Sequence, residues 1–280
     1  METLFKTPAE NAKGLVAVGE GKTKLSVVKM LILGFLAGAY IAFAAHLCTM
    51  VVHDASKYLG VGMAKFMGGS VFSVGLMLVI LAGSELFTGN NLMVVGLLSG
   101  KYGVGDMLKN WVWVYIGNLI GSVFLAILIA KSGLWNVNGG LLGSKAIAIG
   151  YGKVHLSFIA AFARAIGCNW LVCIAVMFAL ASKSIVGKVW GIYFPIMAFV
   201  ASGFEHCIAN MYFIPAAIFA KSNVLAVKAF SAAKASADLA SLNWGSFVIK
   251  NLIPVTLGNV VGGAVLVSCV YWFLYVKDSE

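Results

Sequence analysis

Two short polar stretches interrupt long apolar segments, and they carry the side chains that could do chemistry. The later one, Gly203-Phe-Glu-His-Cys-Ile-Ala-Asn210, brings together a carboxylate, an imidazole and an amide. The earlier one, Gly83-Ser-Glu-Leu-Phe-Thr-Gly-Asn90, shares the pattern Gly-x-Glu-x-x-x-x-Asn. A charged side chain at the bilayer centre costs about 2.5–3.5 kcal/mol on insertion scales, so it needs a partner or a water-filled cavity. A paired polar break at membrane depth therefore predicts a transport site.

The ionisable residues of the breaks invite different interpretations. Histidine changes charge near physiological pH, and His206 shares its break with other polar groups, which favours a functional role. Glu205 fits better as a brace that accepts backbone N–H bonds within the loop, and Glu85 occupies the matching place in the first break. Both carboxylates are retained as candidate pore residues.

The composition is that of a membrane protein with little mass outside the bilayer. Of the 280 residues, 61% are hydrophobic and 11% are charged, against about 25% charged in soluble domains. The formal net charge is +10, but the lysines fall at segment ends and in loops. This placement favours lipid headgroups, or anions drawn toward a pore, over a nucleic acid partner.

Six apolar segments are each long enough to cross a bilayer. They span residues 27–53, 62–99, 107–131, 156–181, 188–220 and 245–276, and the second and fifth contain the breaks. Residues 1–26 lack the apolar core of a signal peptide and are predicted to form an N-terminal interfacial segment. The lysines before the first helix favour a cytoplasmic N-terminus.

The two halves of the chain repeat each other. Lys109-Asn110, Gly117-Asn118 and Gly121 recur at identical spacing as Lys250-Asn251, Gly258-Asn259 and Gly262. Three spans per repeat is an odd number, so the second copy runs upside down. We predict one transmembrane domain over 1–280, with a first repeat at 27–131 and a second at 156–276. The connection at 224–243 is expected at the surface as a helix or a loop, and the connection at 132–155 is rich in glycine and asparagine.

Several further residues surround the breaks. Apolar side chains there suit a hydrophobic constriction about as well as a lipid-facing or core position: Phe72, Leu76, Leu86, Phe87, Val172, Phe199 and Phe204. Compact hydrogen-bonding groups occur at the same depth: Thr88, Asn90, Asn169 and Asn210. Lys153 suits either a funnel charge or an ordinary interfacial lysine. Because nucleotide-binding, zinc-protease and hydrolase motifs are missing, we expect no cofactor, metal site or catalytic residue.

Four stretches resemble the formate/nitrite transporter family, and together they cover essentially the whole chain. They are Ile80-Leu-Ala-Gly-Ser-Glu-Leu-Phe-Thr-Gly89, Ala165-Ile-Gly-Cys-Asn-Trp-Leu-Val-Cys-Ile-Ala175, Phe199-Val-Ala-Ser-Gly-Phe-Glu-His-Cys-Ile-Ala-Asn-Met-Tyr-Phe-Ile-Pro215 and Asn251-Leu-Ile-Pro-Val-Thr-Leu-Gly-Asn-Val-Val-Gly-Gly263. Ile174 is a mild departure from the Leu or Val usual in the second stretch.

The resemblance implies an all-α membrane protein with six transmembrane helices, an aquaporin-like inverted 3+3 repeat and helices 2 and 5 broken. It implies a homopentamer in the cell membrane with both termini cytoplasmic, carrying small monovalent anions such as formate, nitrite or hydrosulfide. It also implies roles for individual residues: His206 in the pore centre, Lys153 in a vestibule, Thr88 in the broken second helix, Asn169 and Asn210 near the histidine, Leu76, Leu86 and Val172 at one constriction, and Phe72 and Phe199 at the other.

Two other functions compete with anion transport. A water, glycerol or urea channel on the same kind of fold would carry two Asn-Pro-Ala turns, and this sequence has neither. A membrane enzyme or a purely structural membrane protein would leave the repeated polar breaks without a purpose. Anion passage, passive or proton-linked, is therefore the preferred function.

Overall fold

The computed structural model describes residues 5–279, which form eleven helices joined by short turns. In chain order these are α1 (Pro8–Thr23), α2 (Val27–Val52), α3 (Ala55–Leu81), α4 (Phe87–Leu98), α5 (Val104–Lys131), α6 (Leu141–Val154), α7 (Phe158–Ala181), α8 (Ile185–Ala201), α9 (Cys207–Ala220), α10 (Val224–Ala233) and α11 (Trp244–Tyr275). Short 3₁₀ segments occur at Leu134–Gly140, where the backbone is non-helical at Val137 to Gly139, and at Leu239–Ser241.

Six membrane crossings account for the apolar segments. Helices α2, α3, α5, α7 and α11 are each long and apolar enough to span a bilayer. Helices α8 and α9 lie on the two sides of the later break, and α3 and α4 on the two sides of the earlier one. The predicted architecture of six spans with the second and fifth broken is confirmed. The second span begins earlier than predicted, at Ala55, and bends at Gly60.

The connection at 132–155 contains a helix that the sequence pattern did not predict. Helix α6 packs against α9 and α10. Gly150 faces α9 so closely that a Cβ there would lie 2.3 Å from the Cβ of Ala217. The connection at 224–243 forms α10, which turns away from α9 by 101°. Each connection therefore contains a helix, and these two helices pack on each other.

The long helices of each half touch backbone to backbone, because glycines line their contacts. A Cβ on Gly121 of α5 would lie 2.0 Å from the carbonyl oxygen of Phe35 on α2. A Cβ on Gly262 of α11 would lie 2.3 Å from the carbonyl oxygen of Ile166 on α7. Close approach at small residues is the usual basis of helix packing in lipid. The two repeats therefore use the same contact at matching positions.

The halves meet at a point of near symmetry. The Tyr115 hydroxyl and Thr256 Oγ1 are 2.8 Å apart, and each occupies the position in its repeat that corresponds to the other. A pseudo-twofold axis therefore passes close to this hydrogen bond, between α5 and α11. The two breaks lie on either side of that axis, at the depth where α4 and α9 begin.

Candidate pore and its two vestibules

Both breaks depend on a glycine in the left-handed backbone region. Gly83 has φ +82° and Gly203 has φ +77°, values that residues with a Cβ rarely adopt. Two residues later, the chain is anchored to the first helix of its own repeat. The Glu85 N–H donates to the Leu33 carbonyl at 3.2 Å, and the Glu205 N–H donates to the Arg164 carbonyl at 3.4 Å.

Two asparagines hold the interrupted backbone in place. Asn118 Oδ1 accepts from the Phe87 N–H at 3.0 Å, and Asn259 Oδ1 accepts from the Cys207 N–H at 2.9 Å. Their amide nitrogens donate to the carbonyls of Glu85 and Glu205 at 2.9 and 3.0 Å. These bonds satisfy backbone groups that would otherwise be stranded at mid-membrane, where an unpaired group costs several kcal/mol. The N-termini of α4 and α9, with their partial positive charge, thus face the membrane interior.

Each break carboxylate is buried against a lysine and an asparagine. Glu205 accepts from Lys153 Nζ at 2.9 and 3.0 Å and from Asn210 at 2.7 Å. The first half repeats the arrangement, where Glu85 accepts from Lys22 at 2.6 Å and from Asn90 at 2.7 Å. The donors to Glu205 are side chains, and not the backbone N–H groups expected from the sequence.

Lys22 is the one member of these clusters that sequence reasoning did not single out. Its signal was present, since Gly21-Lys-Thr-Lys-Leu-Ser26 matches Gly152-Lys-Val-His-Leu-Ser157 at four of six positions. In both copies the lysine lies in the last turn of a preceding helix, and the serine caps the next helix. Helices α1 and α6 therefore hold equivalent positions before their repeats.

At the centre, the two breaks meet through one hydrogen bond, 3.0 Å long, between Thr88 Oγ1 and His206 Nε2. His206 Nδ1 also accepts from the Ala209 N–H at 3.1 Å, so the imidazole caps α9. A backbone N–H can only donate, so Nδ1 carries no proton and the neutral ring holds its proton on Nε2. Nε2–H therefore donates to Thr88 Oγ1. The hydrogen of the Thr88 hydroxyl is not used in this bond and can be donated to another acceptor. Both side chains are buried.

Two cavities lie beside the breaks, one lined by residues of the first break and the other by residues of the second, His206 included. The narrower one, about 140 Å³, is lined by Leu76, Leu86 and, from α1, Lys22. The wider one, about 560 Å³, is lined by Lys153, His206 and four phenylalanines: Phe72, Phe199, Phe204 and Phe213. The Phe72 and Phe199 rings meet edge to face at 5.8 Å, and Phe199 stacks on His206 at 5.9 Å. One approach is thus aliphatic and the other aromatic.

The remaining candidates brace the site or lie apart from it. Asn169 donates to Asn91 Oδ1, to the Thr88 carbonyl and to the Asn259 carbonyl, so it ties α7 to both halves. Val172 is buried one turn further along α7. Neither residue lines either cavity.

Phe87 requires a correction. It lines neither cavity but a separate apolar hollow between α5 and α11. Its ring packs edge to face on Trp111 at 5.6 Å and on Tyr115 at 4.9 Å. Adjacent residues at the start of a helix point in different directions: Leu86 lines the narrower cavity, Thr88 bonds to His206, and Phe87 packs away from both.

This combination defines a class of protein: a multi-pass membrane transport protein built from two inverted halves around a central polar pair. Proteins similar to this chain belong to the same class. The sequence profile of the formate/nitrite transporters matches residues 9–273. A probable formate transporter of Methanothermobacter thermautotrophicus is 45% identical over 99% of this chain and 100% of its own length. The formate channel BtFdhC of Bacillus thuringiensis is 38% identical over 99% and 98%.

A solved structure of a pentameric formate channel with formate bound is 39% identical. It superposes with a TM-score of 0.78 over 90% of this chain and 98% of that one. The chain belongs to the formate/nitrite transporter family, and it is a transport protein rather than an enzyme.

Proposed function

We propose that the chain forms a channel for small monovalent anions, with formate as the first candidate and nitrite and hydrosulfide as further substrates. The observation that carries the proposal is the Thr88–His206 pair, a buried polar contact flanked on each side by a lysine-bearing cavity. Formate comes first because the similar proteins named above are formate channels or transporters. The chain assembles as a homopentamer in the cell membrane with both termini cytoplasmic.

Transport proceeds in three physical steps. Lys22 or Lys153 attracts the anion into a vestibule. The apolar constriction, Leu76 and Leu86 on one side or Phe72 and Phe199 on the other, penalises the charged form because desolvating an ion is expensive. At the centre, the anion replaces Thr88 as the acceptor of the His206 Nε2–H bond and accepts a second bond from the Thr88 hydroxyl.

His206 supports two forms of this mechanism. As a neutral ring it lowers the barrier by hydrogen bonding alone, and transport is passive. As an imidazolium it transfers the Nε2 proton to the anion, which then crosses as the neutral acid, and transport is proton-linked. The second form requires Nδ1 to take a proton, which displaces the Ala209 N–H bond.

Flux measurements in proteoliposomes test the proposal. Formate, nitrite and hydrosulfide are each offered across a series of pH values, with glycerol and water as neutral solutes. We expect saturable flux of at least formate. Water or glycerol flux without flux of any small anion would overturn the proposal in favour of a neutral-solute channel.

The variant His206→Asn separates the two forms, because asparagine can cap α9 but cannot take up a proton. If proton transfer drives passage, the variant loses the pH dependence of formate flux. If its pH dependence equals that of the wild type, the relay is excluded and the hydrogen-bonding form stands.

A further inference from the structure

The apolar hollow between α5 and α11 shares no lining residue with either cavity of the pore. It encloses about 500 Å³, and binding sites for small molecules typically enclose about 300–1,000 Å³. Its polar groups are engaged inside the protein. The hydroxyls of Tyr115 and Thr256 bond to each other, and Trp111 Nε1 donates to the Asn90 carbonyl at 2.9 Å. Six of the lining residues are exposed hydrocarbon side chains: Leu108, Val112, Ile116, Val248, Ile253 and Leu257.

The hollow lies at the depth of the membrane midplane. The axis that relates inverted repeats lies in the plane of the membrane, and here it passes close to the bond between Tyr115 and Thr256 in the lining of the hollow. Bilayer hydrocarbon extends about 15 Å to either side of the midplane. Because α5 and α11 are both spanning helices, the hollow opens sideways into this layer. Its occupant is therefore a lipid chain or the surface of another protein.

An exposed lysine stands at each end of the hollow. Lys109 lies six residues before Tyr115 on α5, and Lys250 lies six residues before Thr256 on α11. The two helices run in opposite directions, so the lysines are about 9 Å from the midplane on opposite sides. A lysine stem can extend from that depth to the level of the headgroups. Lining residues follow each lysine at i+3 and i+7, on the same side of the helix: Val112, Ile116, Ile253 and Leu257.

Charge distinguishes a lipid from a second copy of the chain. Within residues 5–279, neither Lys109 nor Lys250 forms an ion pair. Among the described spanning helices the acidic residue is Asp106, whose carboxylate accepts from the Gly103 N–H and caps its own helix. A second copy in the hollow would therefore cover both lysines without supplying a counter-charge. A phospholipid supplies one at the level of the headgroups, where attraction to anionic lipid is worth about 1 kcal/mol per lysine.

The backbone of α11 is widened beside the hollow. Residues Phe247–Leu252 form π-helical turns, whereas α5 is an uninterrupted α-helix. Such turns are rare and often occur at functional sites. Val248 and Leu252 of this segment line the hollow, and Lys250 lies between them. The widened backbone, two lining side chains and a lysine therefore occur together at one end of the hollow.

We propose that this hollow binds the acyl chain of an anionic phospholipid, whose phosphate pairs with Lys250 in one leaflet or with Lys109 in the other. The chain lies against Phe87, whose ring packs on Trp111 and Tyr115. Because Phe87 begins the helix that follows the first break, the bound lipid stabilises that break from outside the pore. The site goes beyond the proposed function, since it is independent of the solute that the pore carries.

The first test is lipid retention by the purified protein in native mass spectrometry, with phosphatidylglycerol and phosphatidylcholine of equal chain length offered together. We expect at least a fivefold preference for phosphatidylglycerol. Lys109→Gln with Lys250→Gln should lower it below twofold. Lys131→Gln with Lys228→Gln remove two exposed lysines outside the hollow and should leave it unchanged. A preference that persists in the first variant, or disappears in the second, would overturn the assignment of the two lysines.

A matched pair of tryptophan variants tests whether the acyl chain occupies the hollow. Val112 and Ile120 are both on α5 and both 52% exposed, but only Val112 lines the hollow. Phosphatidylglycerol should raise the thermal unfolding midpoint of the wild type and of Ile120→Trp. It should not raise that of Val112→Trp, because the new ring fills the hollow. An equal rise in both variants would place the lipid elsewhere and overturn the site.

Photolabelling in proteoliposomes tests the second copy as the alternative occupant. The probe is phosphatidylglycerol with a diazirine in its acyl chain, and labelled peptides are identified by mass spectrometry. We expect adducts within 108–116 and 248–257 in the wild type and in Ile120→Trp, and at least fivefold fewer in Val112→Trp. Adducts elsewhere on the protein but none in these two ranges would show that lipid is excluded from the hollow, as it is at a subunit contact, and would overturn the proposal.

Discussion

The two breaks share a scaffold and differ where they face each other. Gly83 and Gly203 turn the chain in the same way, and Glu85 and Glu205 are braced by equivalent lysines and asparagines. Yet His206 occupies the position that Leu86 holds in the first half. An interrupted helix needs the same support in either orientation, so the support is duplicated. The central contact needs one donor and one acceptor, so each half supplies a different residue.

The largest effect, loss of folded protein, is expected from substitution of a glycine at which two helices touch backbone to backbone. Gly121→Leu would force a side chain into the Phe35 carbonyl, 2.0 Å from its Cβ, and should abolish assembly of α2 on α5. We expect little or no monodisperse protein by size-exclusion chromatography in detergent. Gly105→Leu, in the first turn of the same helix with open space around it, is the matched control and should behave as the wild type.

The second largest effect is a loss of stability, expected from substitution of Glu205 in the second break. Glu205→Leu leaves Lys153 and Asn210 without their shared acceptor, and breaking a buried pair in this way should cost about 3 kcal/mol. The thermal unfolding midpoint of the purified protein should fall clearly below that of the wild type. Glu85→Leu should produce a similar fall if the halves are equivalent scaffolds. A large loss in one half and none in the other would break the comparison.

The central contact should affect transport more than folding. Thr88→Val keeps the shape of the side chain but removes the acceptor of the His206 Nε2–H bond. Valine also cannot donate the hydrogen bond that the anion would accept from the Thr88 hydroxyl, worth about 1 kcal/mol, so we expect formate flux to fall roughly fivefold. Thr49→Val is the control, because Thr49 bonds only within α2. Equal flux in the two variants would remove Thr88 from the pore centre.

The smallest effect on formate flux is expected from substitution of Lys22, the lysine that was not identified from the sequence. Lys22→Gln removes one charge from the narrower vestibule, and we expect formate flux to fall about threefold at low ionic strength and less in high salt. Lys153→Gln should behave in the same direction. Unchanged flux at every ionic strength in Lys22→Gln would show that the lysine on α1 braces Glu85 without attracting anions.

Much of the scaffold could be predicted from the sequence because both halves carry it. The Gly-x-Glu-x-x-x-x-Asn pattern located the breaks, and the paired Asn118 and Asn259 helped to identify the internal repeat, although their bonds to the breaks were not predicted. Helix α6 was not predicted, because its glycines, Gly143 and Gly150 among them, weaken a helical pattern and are explained only by close packing on neighbouring helices. The direction of the Phe87 ring likewise depends on contacts across the fold, with Trp111 and Tyr115.

The most direct test of the account is formate flux through His206→Leu, which makes the two breaks alike at this position. We expect a folded protein, with a size-exclusion profile equal to that of the wild type, and a flux reduced at least tenfold at neutral pH. Flux within twofold of the wild type would contradict it, because the central contact between the halves would then have no part in transport.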